Sequence, residues 1–277
     1  MSITQILVLA VVQGLTEFLP VSSSGHLILV PAFTGWSDQG QVTDVMVHVG
    51  SLLAVVVYFW RDVLNLLAGT GELLRGHMSD RARLALIIAA ATIPALVLGA
   101  VLEFSGLNDL MRANGVFIVA FGAIFFGILL YVADVAGARV KRMEDMTFRT
   151  GLLIGAAQAV ALIPGTSRSG ATITAARFLG FRRDEAARFS FLLGIPAIAA
   201  AGLFKSVSAF RSDAGIPPDA LWAAFFTFFA AIAAIAILMA VVKRTSFLVF
   251  VVYRLALGLL LFAMLYGWFP AVLPSLS

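Results

Sequence analysis

The chain has 277 residues, 61% apolar and only 12% charged, with a mean hydropathy of +1.01. A soluble domain carries about 25% charged residues, so this chain could not cover a water-facing surface with polar groups, and soluble function classes are excluded. At ~20 residues per spanning helix the length holds roughly six to ten membrane segments. A separate soluble domain has no room, and one membrane domain over residues 1–277 is expected.

Nineteen basic and fifteen acidic residues give a net charge of +4. The basic residues fall in short loops between apolar runs, so they read as a topology signal beside anionic lipid and not as a nucleic-acid surface. There is no cysteine, which excludes disulfides, thiolate metal sites and thiol nucleophiles. The histidines are His26, His48 and His77. No Lys or Arg precedes the first apolar run, and Gln13 and Glu17 interrupt it, so a cleavable signal is not expected.

Ten apolar segments follow in chain order. Ile3–Pro20 is joined by a break to the short Gly25–Trp36. Then come Val45–Trp60, Leu84–Leu102 and Val116–Val132. Thr150–Ile163 is joined to the short Gly170–Phe181, and Ala186–Leu203, Leu221–Val242 and Phe247–Phe269 complete the chain. The short partners have twelve residues each, about 18 Å as helix, against a hydrocarbon core of ~30 Å. Such a segment cannot span, so each pair is expected to be a re-entrant hairpin buried in protein. The fold expected is therefore an all-α integral membrane protein with six transmembrane helices plus two re-entrant helical hairpins.

The two hairpins belong to an internal repeat with halves at about 1–140 and 145–277. Pro20 is followed by Val-Ser-Ser-Ser-Gly25, and Pro164 by Gly-Thr-Ser-Arg-Ser-Gly170. Each break precedes a long helix that carries Gly50 or Gly194. The last helices align as well, Phe117–Leu130 against Leu248–Leu261. One hairpin plus three crossings per half turns the second half upside down, the inverted-topology arrangement of transporter-like folds. With this threading one side collects Arg61, Arg75, Arg81, Arg83, Arg139, Lys141, Arg142, Arg149, Arg177, Arg182, Arg183, Arg188, Lys243 and Arg244. The other has Arg112, Lys205 and Arg211 with acidic Asp38, Asp44, Glu103, Asp109, Asp213 and Asp219. The basic side is expected to be cytoplasmic, with both termini and the first hairpin's mouth outside.

Ionisable groups at membrane depth cost at least ~2.5 kcal/mol each, so each needs a partner or a function. His48 and Gln158 could simply bond neighbouring carbonyls, and Arg254 reads as structural or lipid-facing. The clusters ask for more. Gln13 and Glu17 share one helix face. The turn Ser22-Ser23-Ser24-Gly25 then places hydroxyls and free N–H groups at a helix N-terminus, which favours an anion, and His26 follows. In the second break Arg168 stands among Thr166, Ser167 and Ser169, and arginine binds phosphate bidentately. If both breaks meet at midplane, these residues surround one pocket suited to phosphoryl transfer on a membrane-soluble substrate. Neither loop ends in Gly-Lys-Ser/Thr, so a nucleotide hydrolase is not expected. Ser24-Gly25-His26 resembles the middle motif of type-two phosphatidic-acid phosphatases, but the second histidine that chemistry needs is missing after His77.

On Gln13-Gly-Leu-Thr-Glu17-Phe-Leu-Pro20-Val-Ser-Ser-Ser-Gly-His26 and Pro164-Gly-Thr-Ser-Arg168-Ser-Gly-Ala-Thr172, the chain resembles the bacterial undecaprenyl-diphosphate phosphatases of the BacA/UppP type. The resemblance covers essentially the whole chain. It implies removal of the terminal phosphate from undecaprenyl diphosphate at the outer face of the bacterial inner membrane. That recycles the lipid carrier of cell-wall synthesis and implies bacitracin resistance on overproduction. It places the acidic helix motif on Gln13 and Glu17, the catalytic serine on Ser23, the histidine on His26 and the essential arginine on Arg168. Two departures stand out: the first acidic position, often Glu, is Gln13, and His48 lies where many members have Gln.

The expected mechanism sets Ser23 against the terminal phosphorus, with His26 as base and Glu17 orienting it or holding a divalent cation, Mg2+ or Ca2+. His26 itself or activated water fits as nucleophile equally well. Ser22, Ser24, Gly25, Thr166, Ser167 and Ser169 are expected to bind phosphate, with Gln13 and His48 in support. The rival from another class is a lipid-phosphate transporter or flippase using the same pocket, since transport needs anion donors but no general base. A structural scaffold leaves the intramembrane charges unexplained. The polyprenyl diphosphate and the membrane are the partners expected, and the sequence leaves room for a homodimer.

Overall fold

The described residues of the computed structural model are 1–37, 39–107, 111, 114–210 and 217–268. Of the charges expected on the less basic side, Asp38, Asp109, Arg112, Arg211 and Asp213 lie outside them, as does the end of the Phe247–Phe269 crossing. The described chain is helical and contains no strand. Its helices are α1 (Ile3–Phe18), α2 (Ser23–Thr34), α3 (Gln41–Tyr58), α4 (Trp60–Leu74), α5 (Asp80–Ser105) and α6 (Gly115–Ala136). They continue with α7 (Phe148–Val160), α8 (Arg168–Phe178), α9 (Arg183–Phe210), α10 (Pro218–Arg244) and α11 (Leu248–Leu265).

Five of these helices, α5, α6, α9, α10 and α11, are long and apolar enough to cross a membrane. A sixth crossing is reached only if α3 and α4 count as one broken span. The expected Val45–Trp60 crossing therefore ends at a break, because the chain bends by 88° between α3 and α4. The stretch after Trp60, expected as loop, is helix. Its exposed Trp60, Leu64, Leu67 and Leu74 recur at helical spacing on one face, a pattern hidden by the intervening Arg61, Asp62 and Asn65. An ion pair between Arg188 of α9 and Asp62 holds α4 against the bundle.

Lipid-type packing is visible helix by helix. On α6, Phe117, Phe121, Phe125 and Ile128 are exposed while Gly122, Ala123 and Gly127 face inward. On α10 the exposed Trp222, Phe225 and Phe229 oppose the buried Ala223, Ala231 and Ala234. Small residues inside let helix backbones approach where water supplies no hydrophobic drive. A Cβ on Gly258 of α11 would lie 2.5 Å from Ile124 Cγ1 and 2.8 Å from the Ala120 carbonyl of α6. A Cβ on Gly14 of α1 would lie 2.6 Å from Ala230 Cβ of α10.

Helix contacts come in matched sets. Helix α10 packs on α1 and α3, just as α5 packs on α7 and α9, while α3 meets α9 and α6 meets α11. The bundle's centre is α9, whose Phe189, Phe191, Leu192 and Leu193 are fully buried; Phe191 meets Phe18 edge-on at 5.4 Å. Next to Phe18 in the chain is Glu17, so this aromatic contact anchors the end of α1.

At one end of the bundle Asp134 collects a buried ionic cluster. It accepts from Arg177 Nε at 3.1 Å, from Arg183 Nε and Nη2 at 2.7 Å each, and from the Phe247 amide at 3.3 Å. Arg177 is fully buried and also donates to the carbonyls of Gly137, Ala138 and Phe181. Four elements, α6, α8, α9 and α11, are joined by one carboxylate. Asp134→Asn leaves both arginines without their countercharge, and breaking a buried pair this way costs about 3–5 kcal/mol. Thermal unfolding of the detergent-solubilised protein should show a markedly lower midpoint; an unchanged midpoint would mean the cluster is not structural.

Candidate active site

Both breaks fold into the same turn. Ser22 (φ 80°) and Ser167 (φ 72°) are the non-glycine residues with positive φ among the described residues. Each is an N-cap: Ser22 Oγ accepts from the Gly25 amide at 3.4 Å, and Ser167 Oγ from the Gly170 amide at 3.1 Å. Each also pairs with the hydroxyl two residues on, Ser24 at 3.3 Å and Ser169 at 3.2 Å. Non-glycine residues persist in such conformations only where the surroundings impose them, at about 1–3 kcal/mol each. The capping bonds and buried neighbours do so here. The residue after the cap, first in its helix, is Ser23 in one turn and Arg168 in the other.

These two side chains meet on Glu17. Its buried carboxylate accepts from Ser23 Oγ at 2.7 Å and from Gln13 Nε2 at 3.2 Å through Oε2, and from Arg168 Nη2 at 3.2 Å through Oε1. His48 Nε2 stands 3.8 Å from Oε2. Arg168 is further held by Nη1 to the Ser190 carbonyl at 3.1 Å, and a Cβ on Gly194 would lie 2.7 Å from its Cζ. Gly194 is thus the berth of the guanidinium.

Beneath the turns lies Arg254, fully buried. It donates to the carbonyls of Pro20 (3.1 Å), Gly122 (3.0 Å), Ala123 (3.2 Å), Gly165 (3.0 Å) and Thr166 (3.0 Å). Ser169 Oγ adds a tie to the Leu19 carbonyl at 3.0 Å. A carboxylate bonded to a hydroxyl, an arginine fork and two helix N-termini together form a place for a phosphoryl group and a nucleophile.

A family model for the bacitracin resistance protein BacA matches residues 6–260. The chain belongs to the BacA family. Proteins named undecaprenyl-diphosphatase are similar to it throughout. That of Ruegeria pomeroyi is 49% identical over 96% of this chain and 100% of its own length. That of Erythrobacter litoralis is 49% identical over 95% and 99%, and that of Chromohalobacter salexigens 48% over 92% and 96%.

Within this BacA-family fold the structure brings together Gln13, Glu17, Ser23, His48 and Arg168. The remaining expected residues divide by what occupies them. Ser22 and Ser167 cap their helices, the buried Ser169 holds Leu19, and Thr166 is buried with no partner for its hydroxyl among the described residues. Gly25 sits in the cap bond, and Ser24 is exposed. His26 does not touch Ser23 in the way expected of its base: Nδ1 bonds the Ser22 carbonyl at 2.7 Å, and Nε2 bonds the Tyr253 hydroxyl at 2.5 Å. The Ser23 hydroxyl donates instead to the Glu17 carboxylate. Arg254 is structural as one of its two sequence readings has it, and its burial excludes the lipid-facing one. Tyr253 and Ser190 have no local sequence signal that could have singled them out.

Among the described residues no three His, Cys, Asp or Glu side chains converge to form a metal cage. Beside the Glu17 carboxylate, which accepts from Gln13 Nε2, Gln13 Oε1 is buried without a hydrogen-bond partner among the described residues. That pair fits a hard divalent cation taking the rest of its shell from phosphate and water.

Gly194→Ala tests the Arg168 berth. Only the flexible end of one side chain must yield, so stability should change by less than about 1 kcal/mol, while displacement of the guanidinium should lower turnover by roughly 10²-fold or more. Wild-type turnover in a folded Gly194→Ala protein would show that the observed position of Arg168 is not the working one.

Proposed function

We propose that the chain is an undecaprenyl-diphosphatase, hydrolysing the terminal phosphate of the membrane diphosphate to leave the monophosphate carrier for cell-wall synthesis. The observation that carries this reading is Glu17, buried and bonded at once to the hydroxyl of Ser23 and the guanidinium of Arg168. A lipid-phosphate carrier would use the arginine and the helix N-termini, but it has no need for a carboxylate poised on a hydroxyl. The relatives' name points the same way.

Ser23 Oγ attacks the terminal phosphorus as its proton passes to Glu17. The bond from that phosphorus to the bridging oxygen breaks, and undecaprenyl phosphate leaves with the electron pair. Arg168 and the free N–H groups at the start of α2 and α8 bear the charge of the loose transition state, in which positioning and electrostatics count for most. Arriving phosphate competes with Glu17 for Arg168, so the carboxylate loses its countercharge and gains basicity as the nucleophile is needed. Water then attacks the phosphoseryl group with His26 as base, and Ser23 recovers its own proton from Glu17. Glu17 and Gln13 Oε1 would hold Mg2+ or Ca2+, which supplies charge neutralisation on the diphosphate.

The architecture of this reading is six crossings and two re-entrant hairpins in an inverted repeat. Matched helix contacts, the two alike turns and the shortness of α1, α2, α7 and α8 support it. In this reading α4 and the Asp134 cluster lie at the cytoplasmic face of the inner membrane, with both termini and the first hairpin's mouth on the outer side; the basic loops support it.

Purified protein in detergent, given undecaprenyl diphosphate, should release inorganic phosphate and do so less after chelation of divalent cations. Glu17→Gln should nearly abolish release, and Arg168→Lys should lower it by about 10²-fold or more by loss of one transition-state donor. Acid quench of enzyme turning over terminally labelled substrate should leave the label on Ser23. Release without any trapped label would remove the covalent route, and no release at all would return the carrier reading.

A further inference from the structure

His26 is the base of the second step in the reading above, yet an imidazole on the first turn of a short helix can turn about its own bonds. Two contacts fix it. The Ser22 carbonyl can only accept, so Nδ1 carries the ring proton and Nε2 is left with the lone pair. The Tyr253 hydroxyl donates to that lone pair at 2.5 Å, and the phenol ring stacks on the imidazole at 5.7 Å with 12° between planes. Tyr253 lies on α11, one residue before Arg254, whose guanidinium holds the carbonyl of Pro20 just ahead of the turn. Rigid attachment at Arg254 thus sets where the phenol stands. Arg254 is also the charged group of α11 nearest the imidazole, while Glu17 and Arg168 are engaged with Ser23 and with each other.

Packing does not account for this tyrosine. It is 44% exposed, and in the alignment of α6 with α11 its counterpart is Gly122, where a Cβ would lie 3.0 Å from Gly165 C. One half of the fold leaves that position bare, and the other places a hydroxyl on the imidazole. We propose that Tyr253 is a catalytic residue: its hydroxyl, hydrogen-bonded to the His26 lone pair, takes a proton from the water that hydrolyses the phosphoseryl group as it passes its own proton to Nε2. The proposal rests on the diphosphatase reading and adds a residue to it.

Its signature is kinetic. In a two-step reaction the first step alone sets kcat/KM, and slowing the second lowers kcat and KM together. Tyr253→Phe keeps the ring and removes the hydroxyl. It should reduce kcat about 10-fold, a fraction of what general base catalysis supplies, while kcat/KM stays within about twofold. The label trapped on the enzyme at steady state should rise. With ring-15N histidine, three residues give three sets of signals, and the one lost in His26→Ala should move in Tyr253→Phe toward an unbonded Nε2. A Tyr253→Phe protein with unchanged kcat, or one in which kcat/KM falls in step with kcat, overturns the proposal while wild-type phosphate release leaves the diphosphatase reading standing. Failure of the wild type to release phosphate overturns that reading instead.

Discussion

The site depends on one buried cation. Arg254 is fully buried, and among the described residues no carboxylate pairs with it; its N–H groups are taken by five carbonyl oxygens from α6 and from both turns. Carbonyl dipoles satisfy the hydrogen bonds without cancelling the charge. A full positive charge therefore remains beneath the two turns in a medium of low dielectric, where charges act strongly over distance. Arg168 is neutralised by Glu17, so Arg254 is the cation whose field is left over. The same guanidinium fixes the backbone of both turns through the carbonyls of Pro20, Gly165 and Thr166.

The turns that Arg254 joins are alike in backbone and unlike in chemistry. Each has a serine cap at positive φ, a second serine and a glycine amide. They differ at the residue after the cap, which is a hydroxyl in one and a guanidinium in the other. A phosphoryl transfer needs both kinds of group on one phosphorus, approaching from different directions. Two copies of one anion-binding turn, facing each other across a single carboxylate, meet that need without further loop structure. Glu17 has no partner carboxylate at the equivalent place just beyond α7, where the sequence has Leu162.

Local signals were legible in the sequence, and contacts between distant segments were not. Apolar length located α5, α6, α9, α10 and α11 to within a few residues, since burial in lipid demands length and little else. The serine, glycine and proline breaks located both turns because caps are written in adjacent residues. The meeting of Glu17, Ser23 and Arg168 could be anticipated from charge at membrane depth. The roles of Tyr253 and Arg254 could not, because α11 reads as an ordinary apolar helix until its depth against α6 and both turns is known. The helix after the bend at Tyr58 was hidden for another reason: Arg61, Asp62 and Asn65 interrupt its apolar face, so that the stretch reads as loop. That His26 faces Tyr253 could not be read from the sequence either, because Tyr253 lies on a distant helix.

Small residues make the arrangement affordable in a membrane. A Cβ on Gly122 would lie 3.0 Å from Gly165 C, and one on Gly165, which sits at φ 84°, 2.6 Å from Val119 Cα. Gly170 leaves room for the Arg254 guanidinium, and Gly194 for that of Arg168. These positions bring carbonyls of α6 and both breaks within reach of one arginine, so irregular backbone at depth is satisfied inside the protein, as it must be where lipid offers no partners. Rigidity at the site is thus a property of backbone approach, with little contributed by the side chains that react. Enlarging Gly122 or Gly165 therefore separates the carbonyls from Arg254 and takes the scaffold with it.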